Sequence, residues 1–194
     1  MNRAVFLDRD GTVSEEVGYV NHLDRFRVFP WAAQAIRLLN QTQLRVILIT
    51  NQSGVARGYF PESLVQEIHQ RLQEELALGG AILDGVYYCP HHPEGSVAPY
   101  RMRCSCRKPS TGMLESAARD HDLDLSSCFV VGDRYQDLEM GFRVNARTIL
   151  VASGYGKGEI RYHQDSWSRQ PDFIGADLLQ AAQWILRQVS FVPG

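Results

Sequence analysis

No stretch of this chain is apolar for long enough to span a bilayer, and the N-terminal MNRAVFLDRD offers only the short run AVFL before acids begin. A helical span needs about 20 apolar residues, and a secretory signal needs a longer apolar centre than this. A cytoplasmic protein with reduced thiols is therefore expected. An excess of charge is missing too: 20 Lys and Arg face 22 Asp and Glu, for a net charge of −2. General nucleic-acid binders carry a basic excess, often interleaved with aromatics, and neither pattern is present here. There is no internal repeat and no low-complexity tract, and 194 residues leave no room for two large domains. The reading is one domain over residues 1–194 with an ordinary core, since 44% of residues are hydrophobic and 22% charged.

What is present is an alternation. Short apolar runs at Ala4–Leu7, Val46–Ile49, Gly85–Tyr88, Phe129–Val131 and Thr148–Val151 predict strands, with Phe173-Ile174 a weaker sixth. Between them, Trp31–Leu39, Pro61–Leu78, Thr111–His121, Tyr135–Phe142 and Ala176–Val189 predict helices. In the last of these, Leu178, Leu179, Ala182 and Leu186 are expected to face the core. Strands alternating with helices predict an α/β fold, a three-layer sandwich around a parallel sheet. Ser14–Phe29 and Pro90–Ser110 fall outside the alternation, and loops of that length in a compact domain are usually functional. Tyr155–Arg169 reads as a surface loop.

Polar clusters sit where the strands end, which is where open parallel sheets bind ligands. Asp8 and Asp10 follow the first strand, Thr50 and Asn51 the second, Asp133 and Asp137 the fourth. Alone, Asp8-x-Asp10-Gly11 reads as a turn. Joined by Thr50, Lys108 and Asp133 it reads as chemistry. Asp8, Asp10 and Asp133 offer hard oxygens suited to Mg²⁺. A carboxylate can attack phosphorus, and an acid two residues on can protonate the leaving oxygen and then activate water.

The stretches FLDRDGT, ITNQSG, RKP and VGDRYQD, in this order from Val5 to Val151, resemble the four motifs of the haloacid dehalogenase superfamily of phosphatases. The resemblance implies that Asp8 is the nucleophile and Asp10 the general acid/base. It implies Mg²⁺ on the Asp8 side chain, the Asp10 carbonyl and Asp133, and the transferring phosphoryl group on Thr50 and Lys108. Asp137 would partner Lys108 or a metal-bound water.

Of four cysteines, Cys89, Cys104 and Cys106 lie close together with His91 and His92. In a reducing compartment that clustering points to a metal, and Cys89, His91, Cys104 and Cys106 make a plausible Zn²⁺ site with a structural role. His92 is the rival ligand, and Cys128, before a strand, reads as a core thiol. Zinc would pin the loop that leads into Arg107 and Lys108.

CPHHPEGSV, CSCRKP, the early GYV and TNQSGVARG are similar to the D-glycero-D-manno-heptose-1,7-bisphosphate 7-phosphatases, a branch without a large cap domain. That similarity implies substrate contacts at Glu16, Val17, Gly18 and Tyr19, at Thr50, Asn51, Gln52 and Ser53, and at Arg107 and Lys108. Arg134 stands where the branch is expected to carry Lys and keeps its charge, which places it too among the expected substrate contacts, at the distal phosphate. The expected partner is a small phosphorylated sugar and the expected state a monomer. Two rivals stand beside this reading. One is the related histidinol-phosphate phosphatase, for whose amine Glu15, Glu16 and Asp24 would be suited; the other is a non-catalytic, zinc-stabilised binding module.

Overall fold

In the computed structural model, residues 1–189 are described; the last five residues of the expected domain, 190–194, lie outside them. Six strands, β1 (Arg3–Leu7), β2 (Leu44–Asn51), β3 (Gly85–Cys89), β4 (Phe129–Gly132), β5 (Arg147–Val151) and β6 (Phe173–Gly175), form one sheet in the order β3-β2-β1-β4-β5-β6. Every pairing is parallel. Six α-helices cover it: α1 (Ala32–Asn40), α2 (Glu62–Leu78), α3 (Gly112–His121), α4 (Tyr135–Arg143), α5 (Gly156–His163) and α6 (Leu178–Val189). Among the described residues no domain-sized cap is inserted.

The three layers follow from the two-residue period of strands. Val5 and Leu7 of β1 point into the core shared with α1, α2 and α6, while Ala4 and Phe6 point into the core shared with α3. Because both faces are covered, β2 reads LRVILITN with almost no polar interruption. Each fully buried Ile or Leu contributes on the order of 1.5–3 kcal/mol. The sequence order reverses between β1 and β4, so their carboxyl ends flank the crevice of a topological switch point.

Two expectations change. The buried stripe of α6 is Leu178, Ala181, Ala182 and Ile185, which keeps the expected Leu178 and Ala182, whereas Leu179 and Leu186 are only half-buried. Trp184 belongs to this packing, stacked on Phe173 with ring centroids 5.3 Å apart. Tyr155–Arg169 is not a plain loop, for it contains α5 and anchors Trp167 against Leu138 and Leu150. The stretch Ser14–Phe29 has little regular structure but is fixed in place. Ser14 bridges Val28, the Glu15 amide donates to the Arg27 carbonyl, and Val20 and Phe26 are buried.

Candidate active site

The carboxyl end of β1 delivers Asp8 and that of β4 delivers Asp133, with the Asp8 amide donating to the Val131 carbonyl at 3.0 Å to lock the two ends together. Asp137, one turn into α4, joins them: ligand oxygens of Asp8, Asp133 and Asp137 lie within 4.8 Å of one another, and all three residues are buried. Lys108 enters from the long loop and places Nζ 2.6 Å from Asp8 Oδ1 and 2.8 Å from Asp137 Oδ1. Burial alone would lower the pKa of that amine, but the carboxylates of Asp137 and Asp8 outweigh it and hold Lys108 above its ordinary range. Lys108 is itself fixed by a reciprocal pair: its amide donates to Asn51 Oδ1 at 3.1 Å, and Asn51 Nδ2 donates to its carbonyl at 3.3 Å.

Asp10 is held from the other side. Arg9, fully buried, sets Nη2 2.8 Å from Asp10 Oδ2 and Nε 3.1 Å from Oδ1, a bidentate fork. Gln52 Nε2 lies 2.9 Å from Asp10 Oδ2 and 2.8 Å from Thr50 Oγ1, so one amide ties the expected acid/base residue to the expected phosphate-binding hydroxyl.

Three buried carboxylates face a single ammonium in this pocket. Burial first, then the neighbouring carboxylates Asp8 and Asp137, push Asp133 up to about 9. Burial raises Asp8 to about 7 against the pull of Lys108. Asp133 Oδ1 is buried and accepts no hydrogen bond, while Oδ2 accepts the Tyr155 amide at 2.7 Å. Gly11, with φ +85°, and Gly154 close round Asp133, and a Cβ on either would collide with its carboxylate. Unneutralised charge, an orphaned oxygen and a glycine collar together fit a divalent cation with oxygen ligands.

The cysteine loop closes as expected. Cys89 Sγ lies 3.0 Å from Cys106 Sγ and 3.5 Å from Cys104 Sγ, Cys104 and Cys106 are 3.3 Å apart, and His91 Nδ1 is 3.3 Å from Cys106 Sγ. A tetrahedron with metal–sulfur bonds of 2.3 Å has edges of about 3.8 Å, slightly wider than this cluster. Sharing a proton with Cys89 holds the Cys106 thiol down to about 5 and pushes Cys89 up. Two thiols that share a proton, with a third sulfur and an imidazole beside them, suit a cation that replaces it. His92 is turned away, its Nε2 3.0 Å from Arg57 Nη2, and Cys128 packs in the core with its thiol donating to the Asp124 carbonyl.

A cleft of about 260 Å³ opens above the carboxylates. The family model described as HAD-hydrolase-like matches residues 105–181. The chain is 46% identical over 186 residues to a D-glycero-D-manno-heptose-1,7-bisphosphate 7-phosphatase of Thermosynechococcus vestitus, covering 94% of each chain. It is 36% identical to the D-glycero-beta-D-manno-heptose-1,7-bisphosphate 7-phosphatase of Escherichia coli, over 98% of this chain and 91% of that one. The chain belongs to the heptose-1,7-bisphosphate 7-phosphatase family. A D,D-heptose 1,7-bisphosphate phosphatase from B. bronchiseptica, solved with magnesium and phosphate, superposes with a TM-score of 0.84 at 32% identity, covering 96% and 99% of the two chains.

Most residues expected to touch substrate in such a phosphatase line the cleft: Glu16, Gly18, Tyr19, Thr50, Asn51, Ser53, Arg107, Lys108 and Arg134. Two do not. Val17 packs against the core and gives its carbonyl to Arg25, and Gln52 lies beneath the cleft, spent on Asp10 and Thr50. Of the acids suited to an amine, only Glu16 reaches the cleft; Glu15 and Asp24 are exposed elsewhere. Gln136 and Tyr155 line it without having been foreseen. Tyr155 gives Arg134 a partner. The guanidinium stacks 3.8 Å from the Tyr155 ring centroid and lies 4.0 Å from Glu16 Oε2, a planar contact that a Lys would not make.

The pocket's electrostatics give a first expected result. In metal-free protein the raised carboxyls of Asp8 and Asp133 stabilise the fold fully below about pH 4, and that contribution is lost as pH rises through about 7 and about 9. Thermal melts of chelated protein should fall across this window. Mg²⁺ at 100 times its Kd at pH 8 should add about 2.7 kcal/mol, or about 5–10 °C, and the same concentration should add less at pH 5. A Mg²⁺ shift independent of pH would rule out these carboxylates as its site.

Proposed function

We propose that this chain removes the C7 phosphate of D-glycero-D-manno-heptose 1,7-bisphosphate, releasing heptose 1-phosphate by way of an aspartyl-phosphate on Asp8. Membership of the family supports the reaction, and the observation that carries its assignment to residues is Lys108 Nζ held between Asp8 and Asp137. A cation in that place orients the nucleophile through Asp8 Oδ1, leaves Oδ2 for attack, and neutralises phosphoryl oxygens beside it. Asp8, the Asp10 carbonyl and Asp133 would hold Mg²⁺, which when bound supplies charge neutralisation and orients the phosphoryl group.

The chain's own groups then account for the proton and bond changes. Asp8 attacks phosphorus, the bond to the C7 oxygen breaks, and that oxygen takes the proton of Asp10. Water next attacks the phosphoryl group while the Asp10 carboxylate takes its proton, and Asp8 is freed as phosphate leaves. Thr50, placed by Gln52, and Lys108, placed by Asn51, bind the transferring group. The cleft rim carries Arg57, Arg107 and Arg134 as cations for the second phosphate.

Zn²⁺ on Cys89, His91, Cys104 and Cys106 is proposed as structural. Four protein ligands leave no open position, and Arg107 and Lys108 follow directly on the last of them. Thiols gathered for a metal suit a reducing compartment, and no described helix is long and apolar enough to cross a membrane. A monomer acting as one domain completes the proposal.

The test compares kcat/KM on the heptose bisphosphate, on histidinol phosphate and on a sugar monophosphate, in the parent and in Arg134→Ala. The bisphosphate should be the best substrate. Arg134→Ala should raise its KM about 10- to 100-fold, the worth of one charged hydrogen bond, and leave the monophosphate unchanged. Faster turnover of histidinol phosphate would overturn the substrate assignment.

A further inference from the structure

We propose that His69, on α2 and outside the cleft, is a positioning residue for Asp10, acting through the buried guanidinium of Arg9. The inference rests on Asp10 being the general acid/base. Arg9 is fully buried between the start of the active-site turn and α2. Two of its nitrogens, Nε and Nη2, are spent on Asp10, and Nη1 lies 3.2 Å from His69 Nε2. A guanidinium has donors only, so His69 Nε2 must be the acceptor. The ring is therefore neutral with its proton on Nδ1. Burial, then the charge of Arg9, hold the His69 pKa down to about 3, so this tautomer persists through the working range.

The arrangement divides the donors of one fork between two acceptors of different kind. Asp10 receives the pair that fixes the plane of its carboxylate, and His69 receives the nitrogen that would otherwise be buried without a partner. The Phe26 ring lies 5.8 Å from the guanidinium carbon, and the Tyr88 ring 5.4 Å from the imidazole, so packing restricts both groups. Removing the imidazole acceptor frees the fork to turn toward the space left, and the Asp10 carboxylate turns with it. A buried charge that has lost one of its partners moves or recruits water. His69 also lines an open surface groove with Gln66, Gln73, Val86 and Tyr88, so water can reach the vacated place.

Leaving-group dependence separates positioning of an acid from general damage. A sugar alkoxide cannot leave without a proton, whereas p-nitrophenolate can, and kcat/KM reports the steps up to that departure. His69→Leu should lower kcat/KM on the heptose bisphosphate about 10- to 100-fold and on p-nitrophenyl phosphate by less than about threefold. His69→Gln, whose Oε1 can accept from Arg9, should recover most of the loss. Should His69→Leu not fold, Arg9→Lys, which keeps the charge but not the fork, should show the same split. Equal losses on both substrates, or no loss on either, would overturn the proposal. Asp10→Asn is the control for the underlying assignment. It should show the split in stronger form, and equal losses there would overturn the acid role of Asp10 together with the proposal.

Discussion

Asp8→Asn is expected to cut phosphate release from the heptose bisphosphate by at least roughly 10⁴-fold, the scale seen when a covalent nucleophile is removed. The amide has nearly the shape of the carboxylate but cannot form the aspartyl-phosphate. The loss should fall on kcat, because Thr50, Asn51, Arg107 and Lys108 still line the cleft. Stability should move the other way. Asp8 is one of three buried carboxylates, and burial with the Asp137 charge beside it raises its pKa to about 7. Without metal at pH 8, the Asn variant should melt at least as high as the parent, since one repelling charge is gone. Phosphate release in excess Mg²⁺, paired with a thermal melt, tests both halves. Retention of more than about a hundredth of the activity in a folded variant would refute the nucleophile assignment.

Loss of the cysteine cluster should rank second. Purified protein is expected to carry one zinc per chain, read by elemental analysis, and Cys106→Ser should abolish its retention. Structural zinc in small motifs contributes on the order of 10 kcal/mol of apparent folding free energy, so the variant should lose many degrees of melting temperature. Activity should fall with it for a geometric reason. The loop 90–110 is pinned by the cluster at its two ends and by the Val97 amide on the Ala56 carbonyl, and Lys108 is two residues beyond Cys106. A strong chelator should reproduce the loss in the parent, with Zn²⁺ and not Mg²⁺ restoring it. Full activity in zinc-free protein would show that Asn51 and the two carboxylates suffice to hold Lys108.

Arg134 shows how a departure from the family's expected residue can be absorbed. Lys offers a point charge on a flexible stem, whereas Arg offers a planar face. Tyr155 is placed beneath that face by the turn that enters α5, and its amide is also the donor to Asp133. One residue thus touches both the buried Asp133 carboxylate and a cation of the rim. No spacing rule in the sequence joins positions 133, 134 and 155, because the turn after β5 brings the last of them over.

The chain's order of apolar runs determined the layers, since a strand covered on both faces must be apolar throughout and an amphipathic helix must bury its stripe. The strand-end acids determined the place of the site, because parallel strands present their carboxyl ends together at the switch point. Cys89, Cys104 and Cys106 were legible from residue type and crowding, with His91 or His92 beside them, and the exclusion of Cys128 from its place before a strand. Tertiary structure decided what depends on distance between remote segments. It set the Asn51–Lys108 clasp and the Gln52 bridge, and it chose His91 over His92 because Arg57 occupies the latter. It also turned Val17 inward and gave Arg9 a partner sixty positions away in His69. Such contacts are made by side chains whose directions are fixed only once helices and sheet have packed, and a hydrogen bond between them leaves no periodicity in the chain that forms it.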